Sequence, residues 1–136
     1  MIKQIDHIGI AVKDLKEAMS IYRDIFGLKF IGTEEIKEQK IIHSTFLAGK
    51  VKIELVQPTH PDSTVGKFIE KRGEGIHHIA FRVENIDQSL KKLSSKGVNL
   101  IDKKARIGAD GAKIAFIHPN DMKGVLIEFV EISKED

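Results

Sequence analysis

The stretch Gly75-Ile-His-His-Ile-Ala-Phe-Arg-Val83 decides the fold, because the chain carries an echo of it near its start, Ile5-Asp-His-Ile-Gly-Ile-Ala-Val12. Side chains alternate between the two faces of a strand. His7 therefore shares a face with Ile5, Gly9 and Ala11, while Ile8, Ile10 and Val12 point the other way. His78 shares a face with Ile76, Ala80 and Arg82, opposite Ile79, Phe81 and Val83. Each strand sets one imidazole among mostly small or polar groups, with large apolar groups on the reverse. That pattern suits a sheet that packs one face on helices and lines a cavity with the other.

The echo continues beyond the strands. Residues 5–25 overlay 76–96 at a constant offset of 71, with Gly27 matching Gly97 one residue closer. Further on, Lys52-Ile-Glu-Leu-Val56 matches Leu126-Ile-Glu-Phe-Val130, which aligns Glu54 with Glu128. Each half reads as β-α-β-β-β. In the first, Asp14 caps a helix carrying Leu15, Ala18, Met19, Tyr22, Ile25 and Phe26 at helical spacing, and Gly27 stops it. Leu28–Thr33 is a strand and the charged Glu34–Gln39 a loop or bend. Ile41–Leu47 and Val51–Val56 form a hairpin. Asp62 or Ser63 caps a linker helix over about residues 62–72.

In the second half the spacing predicts a helix with Ile86, Leu90 and Leu93 on one face. Strands are predicted at Val98–Asp102, Lys113–Ile117 and Val125–Ile132, with a basic loop over Lys103–Ala112 and a charged tail at Ser133–Asp136. The fold class is α+β, one domain over 1–136 built of halves at about 1–58 and 75–133. A small sheet with one helix cannot bury both its faces, whereas two copies packed together can.

Composition narrows the function. The chain is 41% hydrophobic and 31% charged, ordinary for a globular protein, and 22 Lys+Arg against 20 Asp+Glu leaves a net charge of +2. That balance argues against nucleic acid and membrane surfaces as partners. The absence of cysteine excludes disulfides, thiolate metal sites and a cysteine nucleophile. No export signal or membrane span is predicted, so the expected location is the cytoplasm.

The repeat isolates four chemical candidates: His7, Glu54, His78 and Glu128. Glu54 shares a face with Lys52 and Val56, and Glu128 with Leu126 and Val130. A carboxylate within an apolar strand is costly unless it is paired or metal-bound. Two carboxylates and two imidazoles suit a hard or borderline divalent ion with positions left open. A satisfied core histidine and a solvated sheet face are the ordinary uses of each residue alone; their coincidence at matched positions favours a shared site. Strand parity and the repeat both select His78 over His77, and His60 and His118 fall in loops.

At these residues the chain resembles the vicinal oxygen chelate superfamily and, within it, the methylmalonyl-CoA epimerase family. The carrying segments are residues 5–12, Ile53-Glu-Leu-Val-Gln-Pro58, Asp62-Ser-Thr-Val65, Phe68 to Val83, Lys113-Ile-Ala-Phe-Ile-His-Pro119 and Gly124-Val-Leu-Ile-Glu-Phe129. The resemblance implies a divalent metal, cobalt foremost with manganese, nickel or zinc as alternatives, held by His7, Glu54, His78 and Glu128. It implies interconversion of the 2R and 2S forms of methylmalonyl-CoA through an enolate, with Glu128 as a base.

Some members of the family carry a Glu on the third strand where this chain has His43. A tight turn at Gly49-Lys50 sets Thr45 opposite Glu54 and His43 on the same side. This makes His43 a candidate acid/base, with a half-buried strand histidine as the plain reading. A water or Lys113, matched to His43 if Phe46 matches Phe116, is the alternative. Lys103, Lys104, Arg106, Lys113 and Lys123 offer charge for the phosphates of an acyl-CoA. Family analogy suggests a homodimer. The competing functions are a glyoxalase I-like lactoylglutathione lyase and a metal-free binding protein of the same fold.

Overall fold

The computed structural model describes residues 1–133; the end of the predicted charged tail, residues 134–136, lies outside the described residues. The chain divides into two compact units, one of His7–His77 and one of Met1–Asp6 with the residues from His78 onward. The divisions fall inside two strands, β1 (Ile2–Ala11) and β5 (Gly75–Val83).

The unit of residues 7–77 holds β2 (Lys29–Ile36), β3 (Ile41–Ala48), β4 (Val51–Pro58) and helices α1 (Leu15–Met19) and α2 (Thr64–Arg72). Its strand order is β2-β3-β4-β1, with β1 parallel to β4 and the other pairs antiparallel. Gly49, at φ +66°, makes the tight turn that sets Ala48 against Val51 and so Thr45 against Glu54, the expected register. One sheet face packs Phe46, Leu55 and Val12 on Leu15 and Ala18 of α1. The other face carries Ala11, Ile41 and Val56, which pack against Val65, Phe68 and Ile69 of α2. Ser63, not Asp62, caps α2, accepting from the Gly66 N–H at 2.9 Å, while Asp62 pairs with Lys40 at 2.7 Å.

Two expectations are corrected here. The first helix winds as α only to Met19 and continues as a π-helix over Ser20–Ile25, closed by Phe26 N–H to Ile21 C=O at 2.9 Å. The wider turn rotates Ile25 and Phe26 off the buried stripe, leaving them 74% and 62% exposed. Of the segment read as a charged loop or bend, Glu34–Ile36 instead ends β2, and only Lys37–Gln39 turns, as a 3-10 helix. Glu34 and Glu35 pair with His43 and Ile42, and β2 is an edge strand on which charges are tolerated and block further pairing.

The second unit holds α3 (Ile86–Ser95), β6 (Arg106–Ile107), β7 (Lys113–Ile117) and β8 (Ile127–Glu131), in the order β5-β8-β7-β6. Again the first and last strands of the half are parallel and the others antiparallel. Ile86 and Leu90 pack on Val83, Ala115, Ile117 and Phe129, while Ala80, Ala112, Ile114 and Val130 form the opposite face. The strand predicted at Val98–Asp102 shrinks to one bridge, Leu100 with Ile117. Both Ile101 and Asp102 donate to the Phe116 C=O, and the Asp102 carboxylate accepts the Phe116 N–H at 2.8 Å. This bends the chain away, and the edge position is taken by Arg106–Ile107 from the predicted loop. The final strand starts at Ile127 instead of Val125, because the turn through Lys123 and Gly124, both at positive φ, ends with Val125 N–H on Met122 C=O.

The repeat is visible in the helix starts. Asp14 accepts from Glu17 N–H, and its counterpart Asn85 accepts from Gln88 N–H. The first free N–H of each helix is taken by a side chain near the end of the glutamate strand: Leu15 N–H by Gln57 at 2.7 Å, Ile86 N–H by Glu131 at 2.8 Å.

Candidate active site

In the first unit the parallel pairing of β1 with β4 sets Gly9 beside Glu54. His7 Nε2 stands 3.5 Å from Glu54 Oε1, with the imidazole buried and the carboxylate side chain 17% exposed. Across the hairpin, Thr45 is directly opposite Glu54, and His43 lies opposite Val56. His43 Nδ1 is 3.4 Å from Thr45 Oγ1 and 4.0 Å from Glu54 Oε1. Its Nε2 is buried without a hydrogen-bond partner among the described residues, 3.7 Å from Glu34 Oε1 on the neighbouring strand. His7, Glu54, His43 and Glu34 thus run as a row across four strands. The sequence alone does not single out Glu34, whose charged neighbours read as a bend; continuing the alternation of β2 one residue past Thr33 places it across from His43.

In the second unit His78 Nε2 stands 3.2 Å from Glu128 Oε1, both side chains under one-tenth exposed. The His78 ring meets Phe116 edge to face at 5.9 Å, and Phe116 is the cross-strand partner of Glu128. His77 packs edge-on against Phe68 at 4.9 Å. His60 and His118 are loop residues, as expected: His60 Nδ1 meets Thr59 Oγ1, and His118 Nδ1 accepts the Asn120 N–H.

One expected correspondence is corrected by the register. Thr45 faces Glu54 while Phe116 faces Glu128, so Phe116 matches Thr45, not Phe46. Ile114, opposite Val130, therefore occupies the place of His43, and Lys113 points with Ala115 to the face that packs on α3. Lys113 is no counterpart of His43. Lys103, Lys104, Arg106 and Lys123 are exposed, in keeping with the basic surface expected.

His7 and Glu54 in one unit, and His78 in the other, are residue types that can hold a metal ion. Two neutral imidazoles with carboxylate oxygens form a donor set for a borderline or hard divalent cation.

Comparison with known proteins shows which family the chain belongs to. The model of the Glyoxalase/Bleomycin resistance protein/Dioxygenase superfamily matches residues 6–116. A methylmalonyl-CoA epimerase from Mycobacterium tuberculosis is 38% identical, with a TM-score of 0.93 over 98% of this chain and 91% of that one. The chain belongs to the methylmalonyl-CoA epimerase family. It is therefore an enzyme of the epimerase class, with the α+β fold of the glyoxalase superfamily. A methylmalonyl-CoA epimerase in complex with methylmalonyl-CoA and NH4+ is 36% identical, with a TM-score of 0.94 over 98% of this chain and 97% of that one. YqjC of Bacillus subtilis, an uncharacterised protein, is 48% identical over 94% of this chain and 91% of its own length.

Proposed function

We propose that this enzyme interconverts (2R)- and (2S)-methylmalonyl-CoA by metal-assisted proton transfer at C2. The observation that carries the reading is the recurrence of a close His–Glu pair at the same place in both halves, His7 with Glu54 and His78 with Glu128. His7, Glu54, His78 and Glu128 would hold one divalent ion, cobalt by preference. When bound, such an ion supplies Lewis-acid stabilisation of developing negative charge on the enolate oxygens.

The remaining chemistry belongs to the chain. The C2 hydrogen is flanked by a thioester carbonyl and a carboxylate. Glu128 takes it as a proton, and the C–H electron pair moves into the enolate. Burial keeps water from competing for the carboxylate. His43 carries the second proton: one ring nitrogen meets Thr45 Oγ1 and the other faces the cross-strand carboxylate of Glu34. Protonation of C2 from the other side yields the opposite epimer and leaves Glu128 protonated for the return direction.

The acyl-CoA substrate, a homodimeric assembly and a cytoplasmic location complete the proposal. No helix among the described residues is long and apolar enough to cross a membrane.

The test is isotope exchange. One epimer of methylmalonyl-CoA is incubated with the protein and a divalent metal in D2O and followed by NMR. Deuterium is expected at C2 as the epimers equilibrate, and Glu128→Gln is expected to slow exchange by at least about a hundredfold. No exchange, with turnover of the methylglyoxal–glutathione adduct instead, would replace this reading by the glyoxalase I-like one.

A further inference from the structure

The strand registers align the two halves residue by residue, and the alignment exposes a difference in charge. In the first unit the row outward from Val56 runs to His43 and then to Glu34 on the edge strand. In the second, the row from Val130 runs to Ile114 and then to Arg106. Arg106 thus occupies the place of Glu34, Ile114 that of His43, and Phe116 that of Thr45. Where one half keeps a histidine beside a carboxylate, the other keeps an apolar floor beneath a guanidinium.

That guanidinium is braced by an ion pair. Asp102 Oδ1 meets Arg106 Nε at 3.3 Å, and the other oxygen of Asp102 is fixed by the Phe116 N–H at 2.8 Å. The Arg106 Cζ sits 5.5 Å from the Phe116 ring centroid. The closest approach of the pair is at Nε, and the terminal amino groups make no hydrogen bond among the described residues. Arg106 has 48% of its side chain exposed, so a ligand can reach those groups. Because Phe116 also touches His78, Arg106 lies one aromatic ring away from the His78–Glu128 pair. A planar fork held at its inner nitrogen and open at its outer ones is suited to an oxyanion.

We propose that Arg106 is a substrate-binding residue that receives an oxyanion of the acyl-CoA, so that the second half orients the substrate while the first half carries the extra proton donor. The inference rests on the acyl-CoA reading above. The oxyanion has two sources, the free carboxylate of the acyl group and the phosphates of the coenzyme.

Calorimetric binding to wild type, Arg106→Gln and Arg106→Lys separates them, using methylmalonyl-CoA, propionyl-CoA and methylmalonyl-pantetheine. Loss of a charge-assisted contact is expected to weaken binding by about tenfold, with partial recovery in Arg106→Lys. If the carboxylate is read, Arg106→Gln weakens both methylmalonyl esters and spares propionyl-CoA. If phosphate is read, it weakens both CoA esters and spares the pantetheine ester. Equal affinity of wild type and Arg106→Gln for all three ligands would overturn the proposal, as would an equal loss for all three. Wild-type protein that exchanges deuterium into methylmalonyl-CoA upholds the reading beneath the proposal whatever Arg106→Gln does; wild type that neither exchanges nor binds any of the esters overturns both.

Discussion

Replacing Arg82 by Met should destabilise the fold through the charge it strands. Asp6 is 3% exposed, and Arg82 meets it twice, with Nη2 at 2.8 Å and Nε at 3.2 Å from Oδ1. Met keeps much of the apolar stem of Arg82 and removes only the guanidinium, so packing loss is small. What remains is a buried carboxylate that has lost both of its contacts with Arg82. Breaking a fully buried pair in this way costs about 3–5 kcal/mol. Arg82 is 31% exposed and Asp6 keeps further contacts, so the expected cost is lower, about 2–3 kcal/mol. Urea unfolding followed by circular dichroism reads this as a lowered midpoint at unchanged slope. The double variant Asp6→Asn/Arg82→Met removes the stranded charge and should recover more than half of the loss, a coupling that a mutant cycle measures. If Arg82→Met unfolds within about 0.5 kcal/mol of wild type, which is the ordinary range for a surface substitution, the pair is solvated and the reasoning fails.

Two other consequences are accessible. A Cβ on Gly66 would lie 2.8 Å from Pro61 O, 2.9 Å from His60 O and 3.0 Å from Ser63 Oγ. Backbone carbonyls cannot swing aside as a side chain can, so Gly66→Ala should cost about 1–3 kcal/mol in the same unfolding assay despite the higher helix propensity of Ala. The hydrogen bond from Lys40 holds the Asp62 carboxyl below its ordinary value of 3.8. A lowered acid favours the folded state above the unfolded value and loses that contribution as pH falls through the folded one. Lys40→Ala should therefore raise the NMR titration midpoint of Asp62; because this group is fully exposed, stability at pH 7 should barely change.

The sequence made the site legible to the extent that the site is duplicated. His7 with His78 and Glu54 with Glu128 lie on central strands whose alternation is enforced by burial on one face, and a slip of one residue there would invert that face. The tight turn at Gly49 carried the same certainty one strand outward, to His43. Certainty ended at the edge strands, which pair on one side only and are not held to an apolar pattern. Glu34 and Glu35 read as a bend for that reason, and Arg106 as part of a loop. Local competition hid the rest: the Asp102 carboxylate displaced the predicted strand, and a π-turn displaced Ile25 and Phe26. The acceptors Gln57 and Glu131 did leave a trace, a polar residue three places after each strand glutamate, which becomes meaningful only once each is seen to hold the first N–H of its helix.

This distribution of certainty matches a distribution of constraint. The positions the two halves share are those a common scaffold needs: the helix caps Asp14 and Asn85, the helix-start acceptors Gln57 and Glu131, and the His–Glu pairs. Positions at which they differ, His43 against Ile114 and Glu34 against Arg106, are one and two strands outward from the glutamate strand. A substrate with one reacting carbon and one long anionic tail has no two-fold symmetry. A duplicated sheet can serve it only if the inner strands stay alike and the outer ones diverge, one toward moving protons and the other toward holding charge. The opposite signs of Glu34 and Arg106 at one lattice position are what that requirement predicts.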